Sequence, residues 1–541
     1  MNSKPEKSGP VGEERRGPTV RRQVVGGSLR ILIAEGLILP TGLITAAFLT
    51  RRLGPANYGL FTLSCIVVLW LEFIVTSMFS RATVKLIGDA EDWQPWAAML
   101  VRCYLVGGVG AAGLLWLLSG AVARLLGEPS LGGYLRLFAL DIPIFSLASA
   151  HRDILVGMRC YRERALASAV RWIVRLVLIV ALVWAGLSVR GAILAMIGAS
   201  LVDFAVSRYY ARPPLWGKSS VRLGRLWQYA LPLFLAGIAM RLFDKMDLFV
   251  LKALGASAAT AGLYGAAQNL TIVPGLIGTA LAPVLLAALT HSLRSGHSEM
   301  AREVAQDALR FTICLLPFAA LVAAAAPAIT TLVLGQTFAA AAPFLAVLIF
   351  AGFSRLTVSV ALAILVAAER PGWVLALTAP VVPLAAGAYL PAILHAGGRG
   401  AAVTTTAASV LLAVISLAGV YLAWGISPSA ATWVRTALVS AAVYALTLAW
   451  PATGLGLVLK LTVIAGAVPL AYLLGGEFRR GEIRLLRSAL WPGWAAESAP
   501  AADAAPRATF PPDPALGEFA PATARGSAAF DQTGCGNGVG S

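Results

Sequence analysis

Apolar runs near the ~20 residues needed to span hydrocarbon recur along most of this chain. Cutting at Gly, Pro and charge clusters separates about fourteen of them: 29–50, 58–80, 97–119, 131–157, 165–186, 189–210, 226–251, 262–290, 307–326, 338–368, 371–394, 398–424, 430–450 and 454–476. A soluble fold cannot hide that much apolar surface. Only 13% of the 541 residues are charged and 58% are hydrophobic, with a mean hydropathy of +0.78. Soluble proteins carry roughly a quarter charged residues. The sequence therefore predicts one all-α polytopic membrane protein rather than several soluble domains.

What flanks the runs sets orientation. With the N-terminus inside, the inside loops include "RATVK", "RCYRER", "RYYARPPLWGKSSVRLGR" and "HSLRSGHSEMAR". The outside connections hold one or two cations each, and "APAITTLVLGQTF" holds none. An even helix count with both termini cytoplasmic satisfies the positive-inside rule. The net charge of +17 follows from those loops, and no basic patch with interleaved aromatics points to nucleic acid. Residues 1–27 read as a disordered cytoplasmic arm. The Ala/Pro/Gly-rich stretch 477–541 reads as a disordered cytoplasmic tail, with too few large apolar residues to fold.

Several chemistries are disfavoured. The five cysteines show no C-x-x-C or metal spacing, and most sit in apolar runs as packing residues. No G-x-x-x-x-G-K-[ST] or H-E-x-x-H is present, so neither an ATPase engine nor a metal site is expected. "GGVGAAG" is a small-residue packing stripe.

The chain also repeats itself. "RRLGPANYGL" follows the first run and "KALGASAATAGLYGA" follows the seventh. Leu53, Gly54, Tyr58 and Gly59 match Leu254, Gly255, Tyr264 and Gly265. Phe145 and Ser146 match Phe353 and Ser354, and Ile154–Val156 match Ile364–Val366. The offsets stay between 201 and 210 residues. Six helices duplicated in one orientation, plus two at the end, is a transporter architecture. The expected organisation is a first six-helix bundle over 28–212, a cytoplasmic linker over 213–225, a second bundle over 226–424 and two further helices over 425–476. Tyr58 and Tyr264 are expected to mark the membrane interface.

At "LGPANYGLF" and at "DLFVLKALGASAATAGLYGAAQNL" the chain resembles the polysaccharide (oligosaccharide-lipid) flippases. Their superfamily also holds multidrug antiporters and peptidoglycan-precursor flippases. In the second stretch Asp247, Gly255, Gly262, Tyr264 and Ala267 match the family's D…G…G-x-Y…A pattern. The resemblance covers roughly 28–476 and leaves out the tail. It implies two six-helix bundles in a V around a cavity. It also implies movement of a lipid-linked sugar across a bacterial inner membrane, without enzymatic chemistry. The implied partners are lipid-linked oligosaccharide, membrane lipid, and a polysaccharide polymerase or export machinery.

Charges inside the apolar runs are the candidate site. "RLFDKMDLFV" places Arg241, Asp244, Lys245 and Asp247 in one run. Four such groups facing lipid would cost about 10 kcal/mol together. At ~100° per residue Arg241, Asp244, Lys245 and Lys252 share a face, with Asp247 off the stripe. Its first-half counterpart, "ILPTGLITAAFLT", is uncharged. Elsewhere Asp141 and Arg152 are nearly in register, and Arg164, Ser168, Arg171 and Arg175 form an i, i+4, i+7, i+11 stripe. Glu35, Glu72, Asp203 and Arg355 stand singly.

A prenyl-diphosphate headgroup needs cations held in a low-dielectric setting. Arg152, Arg175, Arg241, Lys245 and Arg355 are therefore the candidate headgroup contacts. Glu35, Glu72, Asp244 and Asp247 are candidates to balance charge or to take a coupling proton or sodium ion; no other cofactor is expected. The bland alternatives are internal salt bridges of Arg241 with Asp244 or of Lys245 with Asp247. Arg164 and Arg171 could also snorkel to the interface. Gln268 and Asn269 read equally well as cavity lining or as polar glue between helices. Pro274 and Pro283 are expected to kink their helix.

Two rival functions stay open. A multidrug antiporter of the same fold needs an anionic, aromatic site for cationic drugs, and this core is net cationic. A glycan polymerase or ligase needs a large extracytoplasmic loop with acid and base residues, and the outside connections are short.

Overall fold

The computed structural model describes residues 34–90, 92–214, 245–368 and 370–477. Arg241, Asp244, the arm 1–27, most of the linker and the tail beyond Glu477 lie outside the described residues. Every described element is helical. Among the described residues ten helices are long and apolar enough to cross a membrane.

The first half runs as α1 (Ile38–Asp89), α2 (Gln94–Leu125), α3 (Pro129–Ala139), α4 (Asp141–Gly157), α5 (Tyr161–Leu182) and α6 (Ser188–Tyr210). The second half begins with α7 (245–253). It continues as α8 (Ala258–Leu270), α9 (Ile272–Arg294), α10 (Ser298–Cys314), α11 (Leu316–Ala324), α12 (Ala326–Leu334), α13 (Ala342–Ala367), α14 (Pro371–Thr378) and α15 (Val381–Trp424). The last helices are α16 (Ala430–Ala449) and α17 (Leu455–Leu474). Two compact units partition the chain, 1–465 and 466–541. Both duplicated halves lie in the first unit. The described part of the second holds the last turns of α17.

Several helices are longer than one crossing. At 1.5 Å per residue the 52 residues of α1 would reach about 80 Å if straight. The helix breaks at Gly54, whose φ is 71°, next to Pro55, which has no N–H to continue the ladder. The expected runs 29–50 and 58–80 lie on either side of that break. α15 breaks in the same way at Gly397, between the expected runs 371–394 and 398–424. Pro274 has its own local effect. It leaves the Leu270 carbonyl without an i+4 donor, and α8 ends at Leu270.

The duplication is visible in the backbone. Gly255, the repeat partner of Gly54, also has a positive φ, 94°. Beyond these turns α1 and α8 cross in near-backbone contact. A Cβ on Gly59 would lie 1.9 Å from the Ala258 carbonyl oxygen, and one on Gly262 would lie 2.0 Å from that of Pro55. Only glycine fits at such a crossing. Two polar contacts join the halves nearby. Lys252 Nζ meets Glu128 Oε1 at 2.9 Å, and Asn269 Nδ2 donates to Tyr58 Oη at 2.9 Å.

One apolar cluster runs through both halves, from Leu53, Tyr58 and Phe138 to Tyr264, Phe338 and Phe344. Two further clusters belong to one half each, around Tyr104 and Ile154 and around Leu309 and Ile364. Tyr58 and Tyr264 are thus not interface markers. Both are buried within this shared core, at 2% and 0% exposure. Each hydroxyl finds a hydrogen-bond partner, half-buried Asn269 for Tyr58 and buried Asp247 for Tyr264.

Candidate functional site

Four elements of the first half bring their polar faces together. On α4, Phe145 and Arg152 stand two turns apart and so share a face. On α5, the stripe of Arg164, Ser168, Arg171 and Arg175 faces the same space, with Trp172 beside it. α6 contributes Ser200 and Asp203, one turn apart, and α1 contributes Glu72.

Asp203, fully buried, is the main counter-charge. Its Oδ2 lies 3.0 Å from Arg152 Nη1 and 3.7 Å from Arg171 Nε. One carboxylate therefore serves two guanidiniums. Arg152 Nη2 also donates to Ser149 Oγ at 2.7 Å. The aromatic rings fill the gaps between the cations. The Arg152 and Arg171 guanidinium carbons lie 5.3 and 4.6 Å from the Phe145 ring centroid. Those of Arg171 and Arg175 lie 5.3 and 5.4 Å from Trp172. Arg171 is thus held in the site and does not snorkel to an interface.

Glu72 and Asp141 are both buried, at 3% and 2% exposure. Glu72 Oε1, Asp141 Oδ1 and the Nε atoms of Arg152 and Arg175 are buried without a hydrogen-bond or ion-pair partner. Such atoms are uncommon in a finished core and mark where a ligand group could bind. Glu35, just ahead of α1, pairs with Arg164 at 3.1 Å. It also accepts from Ser168 at 3.0 Å and from Trp172 at 3.4 Å.

The second half is built differently. Asp247, at 1% exposure, lies at the centre of a completed network. Its Oδ2 accepts from Tyr264 at 2.8 Å, Gln268 Nε2 at 2.7 Å and Thr405 at 3.0 Å. Its Oδ1 accepts from the Leu248 N–H at 2.8 Å. Tyr389 and Thr405 share a hydrogen bond at 3.0 Å, and Lys245 Nζ donates to Gln268 Oε1 at 3.0 Å. Gln268 and Asn269 act here as polar glue. Arg355 on α13 lies apart, half-buried, with its Nε unpartnered.

The structure thus gathers Arg152 and Arg175 with Glu72. It sets Glu35 on Arg164, and Lys245 and Asp247 in a separate network. Phe145, Trp172, Tyr389 and Thr405 were not singled out from the sequence. The two aromatics carried a usable signal, since each shares a helix face or a peptide bond with an arginine. Tyr389 and Thr405 carried none, because their partner lies more than a hundred residues away. Among the described residues no group of three or more His, Cys, Asp or Glu side chains could hold a metal ion.

The family model of the polysaccharide biosynthesis proteins matches residues 48–343, more than half of the chain. The chain belongs to that family. Its fold is that of the lipid II flippase MurJ in an inward closed conformation, with a TM-score of 0.69 at 12% identity over 86% of this chain and 99% of that one. A eukaryotic MATE transporter aligns with a TM-score of 0.55 at 14% identity, over 79% and 98% of the two chains. A Vibrio cholerae MATE transporter aligns with a TM-score of 0.53 at 14% identity, over 75% and 96%. No curated protein matches the sequence. The protein is a multi-pass membrane protein with the fold of these flippases and transporters.

Proposed function

We propose that this protein moves a lipid-linked oligosaccharide, carried on a prenyl diphosphate, from the cytoplasmic to the outer leaflet of a bacterial inner membrane by alternating access. The observation that carries this reading is the first-half cluster. Three guanidiniums share one site, two of them on a single carboxylate, and Arg152 and Arg175 keep buried Nε donors unpartnered. Buried arginine donors suit a phosphate-bearing headgroup, while the apolar tail stays in lipid. Family membership and the MurJ-like fold agree with it.

Cations of the second half, Lys245, Arg355 and Arg241, would meet the headgroup from the other side. Glu72 is the candidate for a coupling proton. Glu35, held by Arg164, balances charge. A multidrug antiporter would need an anionic, aromatic pocket, and here the aromatic faces of Phe145 and Trp172 are already covered by arginines.

The test is a flipping assay in reconstituted vesicles with a fluorescent prenyl-diphosphate glycan. The expected result is transport that needs the protein. Movement no faster than in empty vesicles would refute the reading.

A further inference from the structure

Three like charges in a dry site repel one another, and the ordinary remedy is one carboxylate per cation. That remedy is incomplete here: Asp203 is shared between Arg152 and Arg171, and among the described residues no carboxylate forms an ion pair with Arg175. The remaining gaps hold aromatic rings. In order, the side chains read Arg152, Phe145, Arg171, Trp172, Arg175, with every neighbouring guanidinium and ring between 4.6 and 5.4 Å apart.

We propose that Phe145 and Trp172 are positioning residues of the headgroup site, which hold the three guanidiniums apart as a ladder aimed at a diphosphate. The proposal rests on the flippase reading and says how that site is organised.

The chemistry explains why rings and not further carboxylates stand there. A ring face carries partial negative charge and attracts a guanidinium lying over it. It takes none of the in-plane N–H donors that a carboxylate would occupy. The Nε atoms of Arg152 and Arg175 are left unpartnered, and that of Arg171 meets only Asp203, at 3.7 Å. An aliphatic side chain would leave the repulsion unopposed and the long arginines free to choose other rotamers. A ladder of three cations also favours one ligand length. Two linked phosphoryl groups can engage all three guanidiniums, whereas a single phosphate reaches fewer. Phe145 and Trp172 come from different helices, α4 and α5, so the ladder also fixes how those helices face each other.

The test is binding of farnesyl diphosphate and farnesyl monophosphate to the full-length protein in lipid nanodiscs by calorimetry. The wild type should bind the diphosphate about tenfold more tightly than the monophosphate. Phe145→Leu and Trp172→Leu should each weaken diphosphate binding by about tenfold, while Phe145→Tyr and Trp172→Phe, which keep a ring, stay within about twofold. Phe145→Met carries the same expectation as Phe145→Leu if the latter fails to insert. Leucine variants that bind like wild type, or ring-keeping variants that lose as much as leucine, would overturn the proposal. If Arg171→Ala weakens binding while the leucine variants do not, the ladder fails and the headgroup site stands. If Arg171→Ala also binds like wild type, or the wild type binds neither lipid, the headgroup reading fails with it.

Discussion

The two halves share a scaffold and treat their buried charges in opposite ways. In the first, one carboxylate serves two guanidiniums, and four polar atoms of the cluster are left without a partner. In the second, Asp247 receives four donors, and its oxygens are held by Tyr264, Gln268, Thr405 and the Leu248 amide. Burying a polar group without its partner costs free energy, so a completed network is what stability alone would select. An incomplete one persists when something outside the fold completes it. The contrast sets unsatisfied donors in the first half against a self-contained Asp247 network in the second. It also separates Glu72 from Asp247, which the sequence offers alike as candidates to balance charge or take a coupling ion.

Substitutions can break or sharpen this contrast. Asp203→Ala removes the charge between Arg152 and Arg171 and should cost about 3–5 kcal/mol, read as a large drop in thermal stability in detergent. A drop as small as that of a surface mutation would mean that water already screens the two arginines. Asp247→Ala should come next, at about 2–3 kcal/mol, because Tyr264, Gln268 and Thr405 lose their shared acceptor. The surviving folded fraction should bind farnesyl diphosphate normally; lost binding in a folded variant would move the second network into the site. Thr405→Val removes one of the four donors and should cost about 1 kcal/mol. Arg355→Ala should change stability by less than about 1 kcal/mol, since among the described residues its guanidinium makes no ion pair or hydrogen bond. A marked fall in transport without loss of stability would then show a headgroup contact on the second half.

Much of the fold was legible because its signals are local. The apolar runs and the paired Gly54 and Gly255 turns can be read from neighbouring residues. Intramembrane charges stand out because they are rare, so Arg152, Arg175 and Glu72 could be picked out as candidates. Their partners were not legible. Asp203 joins Arg152 and Arg171 only once α4, α5 and α6 pack together. "RLFDKMDLFV" suggested a pair between Lys245 and Asp247, yet Asp247 binds side chains of α8 and α15 instead. Tyr58 and Tyr264 looked like interface aromatics because each lies just past a loop. The close crossing of α1 and α8 at Gly59 and Gly262 draws both into the core, and nothing in either helix by itself reveals that contact.

The central claim is that the incomplete first-half cluster binds the moving headgroup. Arg175→Ala tests it most directly, because Arg175 takes no part in the Asp203 ion pairs and its loss leaves that carboxylate paired. Flipping of a fluorescent prenyl-diphosphate glycan in reconstituted vesicles would be compared for wild type, Arg175→Ala and Thr405→Val at equal amounts of folded protein. The account predicts transport by wild type and Thr405→Val, and at least a tenfold loss in Arg175→Ala, the cost of one charged hydrogen bond. Wild-type transport by Arg175→Ala would contradict it.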